Sequence, residues 1–164
     1  MRNLFILSFL LLSFFGNSQE TLQELLKTHN KESIPYISVK ELAMPKTDAI
    51  LLDARELKEY NVSHIPNSTY VGYDDFDLDT VVKTLPDTTS TIVVYCSVGI
   101  RSEDIAEQLK KKGYTNVYNL FGGIFEWKNN NFPVYNSEEK ETEQVHAYSK
   151  DWGKWLLKGI KIYE

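Results

Sequence analysis

The sequence predicts an α/β domain with a mainly parallel sheet, and three observations carry that expectation. After Pro35, short apolar runs alternate with helical patterns over about 100 residues, the order that builds strand–helix–strand units. Residues 49–53 (AILLD) and 91–95 (TIVVY) are apolar without alternation, as strands buried on both faces are. The second run leads straight into Cys96, a glycine-containing loop and a strongly patterned helix.

The elements follow in chain order. Met1, Arg2 and Asn3 form a short positive region, and residues 4–15 are apolar apart from Ser8 and Ser13. Small Gly16 and Ser18 then precede Gln19, so residues 1–18 have the layout of a secretory signal peptide. The apolar run falls short of the roughly 20 residues of a spanning helix. No cysteine follows it, which excludes the lipoprotein version of the signal. The expectation is an exported chain, periplasmic or secreted, with no stable membrane insertion after cleavage; an uncleaved anchor is the alternative. Residues 19–32 form a helical extension, with Leu22, Leu25 and Leu26 on one face.

The domain itself is expected over residues 33–135. Residues 36–39 form a weak strand and residues 39–44 a helical turn closed by Pro45. Strand 49–53 is followed by a helix at 56–60, a turn at 63–68 (SHIPNS), a strand at 69–73 and a helix at 77–85. Strand 91–95 leads through the cysteine loop into a helix at 103–112. Ser102 is its expected N-cap, with acids in the first turn and lysines in the last. A strand at 116–120 and a short helix after Gly122 and Gly123 complete the unit. Residues 137–144 are acidic and polar and read as a linker. The tail, residues 136–164, carries Val145, Tyr148, Trp152, Trp155, Leu156 and Ile160 near helical spacing, although Gly153 and Gly159 weaken a helix there, and it is expected to dock on its own domain.

Composition limits the function. The chain has 164 residues, of which 42% are hydrophobic and 13% aromatic, which excludes wholesale disorder. A charged fraction of 25% excludes a multispanning membrane protein. The net charge of -5 argues against nucleic acid as a partner, because that needs a basic face. One cysteine excludes an internal disulfide and a multi-thiolate zinc site.

Cys96 is the candidate nucleophile. In open α/β sheets, sites gather at the carboxyl ends of strands. Loop N–H groups and a helix N-terminus can surround an anion there. The same field lowers a thiol pKa below the ordinary value of about 8.5. Ser97, Val98, Gly99, Ile100, Arg101 and Ser102 would form the cradle. Gly99 lets it bend without a Cβ in the way, and Arg101 supplies a permanent cation. A strand-end cysteine is often only a packing residue. The loop that follows it, and the retention of a free thiol in an exported chain, favour the nucleophile.

Four stretches extend this reading. VVYCSVGIRS resembles the active-site segment of the rhodanese-like sulfurtransferases, whose loop has the form Cys-x-x-Gly-x-Arg. LLDARELKEY (51–60), HIPNS (64–68) and GYTNVYNLFGGIFEW (113–127) resemble three further family elements in the same order. The resemblance implies a five-stranded parallel sheet flanked by helices and a cysteine that carries sulfur as a persulfide. It also implies that Asp53 and Arg55 form a structural pair, an acid–base role for either being the alternative; His64 reads as a turn residue bonded to backbone, with a general base as the alternative. Asn67 stands where the family has glycine, at a position that must tolerate a left-handed turn. Ser97 and Val98 leave Arg101 as the only charge in the loop.

The expected function is transfer of sulfane sulfur from thiosulfate or a similar small anionic donor. The acceptor would be cyanide or a thiol, and a protein acceptor is also open. Two alternatives stand: a sulfur-carrier or binding module without turnover, and a cysteine-loop phosphatase. Against the second, four residues separate Cys96 from Arg101, where such phosphatases have five. His29 and His146 lie in flanking segments, and scattered histidines with one cysteine make no metal site. No motif asks for a cofactor.

Overall fold

The computed structural model describes residues 20–163. The signal-peptide expectation falls on residues 1–18 and lies outside the described residues. Five strands form one all-parallel sheet: β1 (Tyr36–Ile37), β2 (Ile50–Asp53), β3 (Ser68–Tyr70), β4 (Ile92–Tyr95) and β5 (Val117–Leu120), in the order β1-β5-β4-β2-β3. The expected five-stranded α/β architecture is the one observed. Central β4 pairs with β2 (Leu52↔Val94) and with β5 (Val94↔Asn119).

The uninterrupted apolar run of β4 has a direct cause, because its side chains alternate between two cores. Ile92 and Val94 face Ile105, Ala106 and Leu109 of α5 (Arg101–Lys111) and Val81 of α4 (Leu78–Val82). Val93 and Tyr95 face the opposite side, where Ile124 and Phe125 of α6 (Gly123–Asn129) lie with Leu42 of α2 (Val39–Leu42). The amino-terminal helix α1 (Leu22–His29) adds Leu25 to that second core and closes its first turn with a Thr21–Glu24 capping box. Between β2 and β3 runs α3 (Leu57–Val62).

Beyond α6 the structure departs from the sequence reading. The expected linker is a hairpin of β6 (Val134–Tyr135) and β7 (Glu141–Thr142), with Asn136 Oδ1 accepting the Glu138 and Lys140 N–H groups at the turn. Strands of two residues are too short to show alternation, and their polar turn reads as a linker. The tail docks on its own domain as expected, but not as a helix. Strand β8 (Gln144–His146) pairs in parallel with β9 (Ile160–Ile162), and the crossover between them carries the single turn α7 (Lys150–Gly153). Val145, Ala147 and Leu156 are fully buried in the core that holds Val93 and Phe125. Asn67 has φ +61, the left-handed turn inferred for it. Among the described residues, no helix is long and apolar enough to cross a membrane.

Candidate functional site

Cys96 stands at the carboxyl end of β4 and is 1% exposed. The loop behind it is held from both sides. Ile124 and Phe125 donate their N–H groups to the carbonyls of Cys96 and Ser97 (2.9 and 3.1 Å). That approach requires glycine at 123, where φ is +54 and a Cβ would lie 2.2 Å from the Cys96 carbonyl oxygen. Gly99, at φ +102, turns its own N–H onto Cys96 Sγ at 3.1 Å. Its carbonyl accepts from Asn119 Nδ2 and Asn30 Nδ2, both at 2.8 Å.

Ser102 is not the N-cap. Helix α5 begins at Arg101 with Ile100 in the cap position, so Ser102 falls inside the first turn and is fully buried. Its hydroxyl lies 2.7 Å from Asn119 Oδ1 and 3.5 Å from Cys96 Sγ. One proton serves both acceptors, so Asn119 holds the hydroxyl beside the sulfur. Gly99 and Ser102 therefore support the sulfur from behind, while Ser97, Val98, Ile100 and Arg101 line the pocket in front.

Arg101 differs most from its expected part as a free cation. It donates Nη1 to Glu59 Oε2 (2.7 Å) and Nη2 to Glu59 Oε1 (2.8 Å), a bidentate pair with a fully buried carboxylate. Ser97 joins them, donating its hydroxyl to Glu59 Oε1 at 3.0 Å and accepting from Arg101 Nη2 at 3.1 Å. Burial pushes the Glu59 carboxyl up, but the hydrogen bonds and charge of Arg101, with Arg55 beyond, hold it down to about 2. Burial likewise pushes the Cys96 thiol up. The Arg101 charge and the hydrogen bonds from Ser102 and Gly99 outweigh it, and the thiol titrates below its ordinary value.

The pocket over Cys96 has a volume of about 130 Å³, and two aromatic residues of the tail, Tyr148 and Trp152, form its far wall. The Tyr148 ring lies 5.2 Å from the Arg101 guanidinium carbon, and Tyr73 faces the same guanidinium at 6.0 Å.

Asp53 and Arg55 are fully buried and paired with each other through Arg55 Nε (2.9 Å) and Nη2 (2.6 Å). The same Nη2 donates to the Ser63 carbonyl and ties β2 to the end of α3. His64 is also buried, with its ring stacked on Tyr60 (4.1 Å), Nδ1 at 3.3 Å from the Tyr60 carbonyl and Nε2 at 3.3 Å from Glu139. It fastens the 63–68 turn to the β6–β7 hairpin, and the pocket over Cys96 is not lined by it. Among the described residues, no group of three His, Cys, Asp or Glu side chains is placed to hold a metal ion.

A family model for the rhodanese-like domain matches residues 38–130, more than half of the chain. The chain belongs to that family. The thiosulfate sulfurtransferase GlpE of Coxiella burnetii is 29% identical over 97 residues, covering 59% of this chain and 87% of that protein. The tRNA uridine(34) hydroxylase of Aster yellows witches'-broom phytoplasma is 35% identical over 102 residues, and this chain spans only 33% of its length. Among solved structures, a rhodanese-related protein of Thermoplasma volcanium superposes with a TM-score of 0.53 at 28% identity, covering 61% of this chain and 96% of that one. A thiosulfate sulfurtransferase of Pseudomonas aeruginosa gives 0.59 at 23% identity, over 80% of this chain and 25% of that one. Residues 131–163, which include the aromatic wall, lie beyond the matched segment.

Sequence reasoning missed Glu59, Asn119, Tyr148 and Trp152 as site residues. Asn119 left a signal, because an asparagine inside a strand is unfavourable unless its side chain has partners. Glu59 left none, since a glutamate on a short helix reads as a solvated residue.

Proposed function

We propose that the protein transfers sulfane sulfur through a persulfide on Cys96. The observation that carries this reading is the surround of the Cys96 sulfur, with the Gly99 N–H at 3.1 Å, the Ser102 hydroxyl at 3.5 Å and the Arg101 charge holding the thiol below its ordinary value. The thiolate attacks the outer sulfur of the donor, the Sγ–S bond forms as the donor's S–S bond breaks, and the leaving group takes the electron pair. The persulfide anion then rests on the donors that held the thiolate, and an external thiol or cyanide removes its terminal sulfur. The surround that lowers the Cys96 pKa favours the thiolate, and the ionised nucleophile needs no base. The short loop, with four residues between Cys96 and Arg101, supports a sulfur atom rather than a phosphate group as the occupant.

The relative named thiosulfate sulfurtransferase, matched over most of its length, supports the same reaction class. The net charge of -5 favours small donors and acceptors over nucleic acid. Incubation with a sulfane donor is expected to add the mass of one sulfur atom, removable by cyanide, with thiocyanate formed over many turnovers. Loading without turnover would instead favour a carrier. Export is part of the proposal, with the mature chain beginning at Gln19, and amino-terminal sequencing of the exported protein tests it.

A further inference from the structure

The wall that Tyr148 and Trp152 raise over Cys96 is built under strain. Tyr148 has φ +64, a left-handed conformation in which its Cβ crowds the following carbonyl oxygen. Its N–H is donated to Nδ1 of the fully buried His146 at 3.1 Å, which fixes the turn. The residue is nonetheless 51% exposed, so burial does not explain the strain. Trp152, in α7, packs beside His29 with ring centroids 5.9 Å apart. A strained aromatic residue pinned at the mouth of a reactive pocket points to a use there.

We propose that Tyr148 and Trp152 seat an apolar group on the leaving half of the donor, so that an organic thiosulfonate, R–SO2–S⁻, is preferred to inorganic thiosulfate. The proposal rests on the sulfur-transfer reading above. Among the described residues, Arg101 is the only charged one lining the pocket, and Glu59 already neutralises it. With the Cys96 thiolate the trio carries one net negative charge. A thiosulfate dianion adds two more with no free cation among the described lining residues to meet them, whereas a thiosulfonate adds one and replaces the second oxyanion with a group the aromatic rings can take from water. The size agrees, since the pocket of about 130 Å³ compares with the cavity of about 150 Å³ that accepts benzene. In the step itself the thiolate attacks the outer sulfur and the Sγ–S bond forms. The donor's S–S bond breaks, its electron pair leaves with the sulfinate R–SO2⁻, and Cys96 keeps the persulfide.

Thiosulfate, methanethiosulfonate and benzenethiosulfonate differ only in the group on the sulfonyl sulfur. With the full chain and cyanide as acceptor, kcat/KM is referenced for each donor to its uncatalysed reaction with cyanide. It is expected to rise about tenfold or more from thiosulfate to the phenyl donor, with the methyl donor between. In Tyr148→Ala and Trp152→Ala the ratio of phenyl donor to thiosulfate should fall about tenfold, and Tyr148→Phe should keep it. A flat wild-type series, or variants that lose activity equally on all donors, would overturn the inference. The wild-type series decides even where Trp152→Ala does not fold. If no donor adds sulfur to Cys96 in the mass spectrum, the sulfur-transfer reading itself falls.

Discussion

The loop of residues 96–101 and the segment of residues 144–163 meet across one pocket but are built on opposite plans. In the loop the backbone carries the geometry. The Gly99 N–H meets the sulfur, and the Cys96 and Ser97 carbonyls are fixed by the start of α6. The loop's one charge is paired with a buried carboxylate. In the tail the side chains carry the geometry, as two partly exposed rings projected from a short crossover between β8 and β9. A frame of backbone amides is insensitive to most side-chain changes, whereas a wall of side chains changes with each substitution. On the proposed reading, reactivity and donor choice would reside in separable parts of the chain.

Four outcomes would break or sharpen that contrast. The largest effect is expected at the loop's nucleophile: Cys96→Ala should abolish both sulfur loading and thiocyanate formation, since the chain has no other thiol. Any residual turnover by that variant would remove the loop from the chemistry. Next is Arg101→Ala, which strands the Glu59 carboxylate in the interior. A loss of about 3–5 kcal/mol is expected in denaturant unfolding, and a variant as stable as wild type would show the pair to be dispensable.

The same pair should govern acid stability. The Glu59 pKa is lowered from 4.5 to about 2 on folding, so its contribution is complete above the unfolded value and is lost as pH falls through that window. Glu59→Gln should flatten this part of the stability profile; an unchanged acid limb would assign it to other carboxylates. The smallest effect is expected on the tail. Tyr148→Gly should change unfolding stability by no more than about 1 kcal/mol, because relief of the left-handed strain offsets the lost ring contacts. A loss as large as that of Arg101→Ala would make the wall part of the framework.

Much of the domain was legible because its signals are local. The runs that became β2 and β4 have the length and continuity of strands packed on both faces, and α5 shows its apolar face at Ile105, Ala106 and Leu109. The cysteine loop announces itself by position, residue types and spacing. What stayed hidden depends on partners distant in sequence. Glu59 acquires its role from Arg101 and Ser97, 42 and 38 residues away. Ser102 has the residue type and position of a cap, but the helix starts two residues earlier than expected and Asn119 holds its hydroxyl. Strands β8 and β9 hold three residues each, and a parallel pair joined by a crossover leaves no turn signature. Tyr148 is one more position at helical spacing in the sequence, and nothing local marks that its backbone is turned left-handed.

The lone, buried sulfur has a consequence for the fate of anything attached to it. Proteins with a second thiol nearby can release a bound sulfur or reverse a sulfenic acid by closing a disulfide within the chain. Cys96 has no such neighbour, because the sequence contains no other cysteine. On the proposed function, a persulfide on Cys96 would therefore need an outside acceptor for its discharge, and its lifetime would be set by how often that acceptor reaches the mouth beside Tyr148.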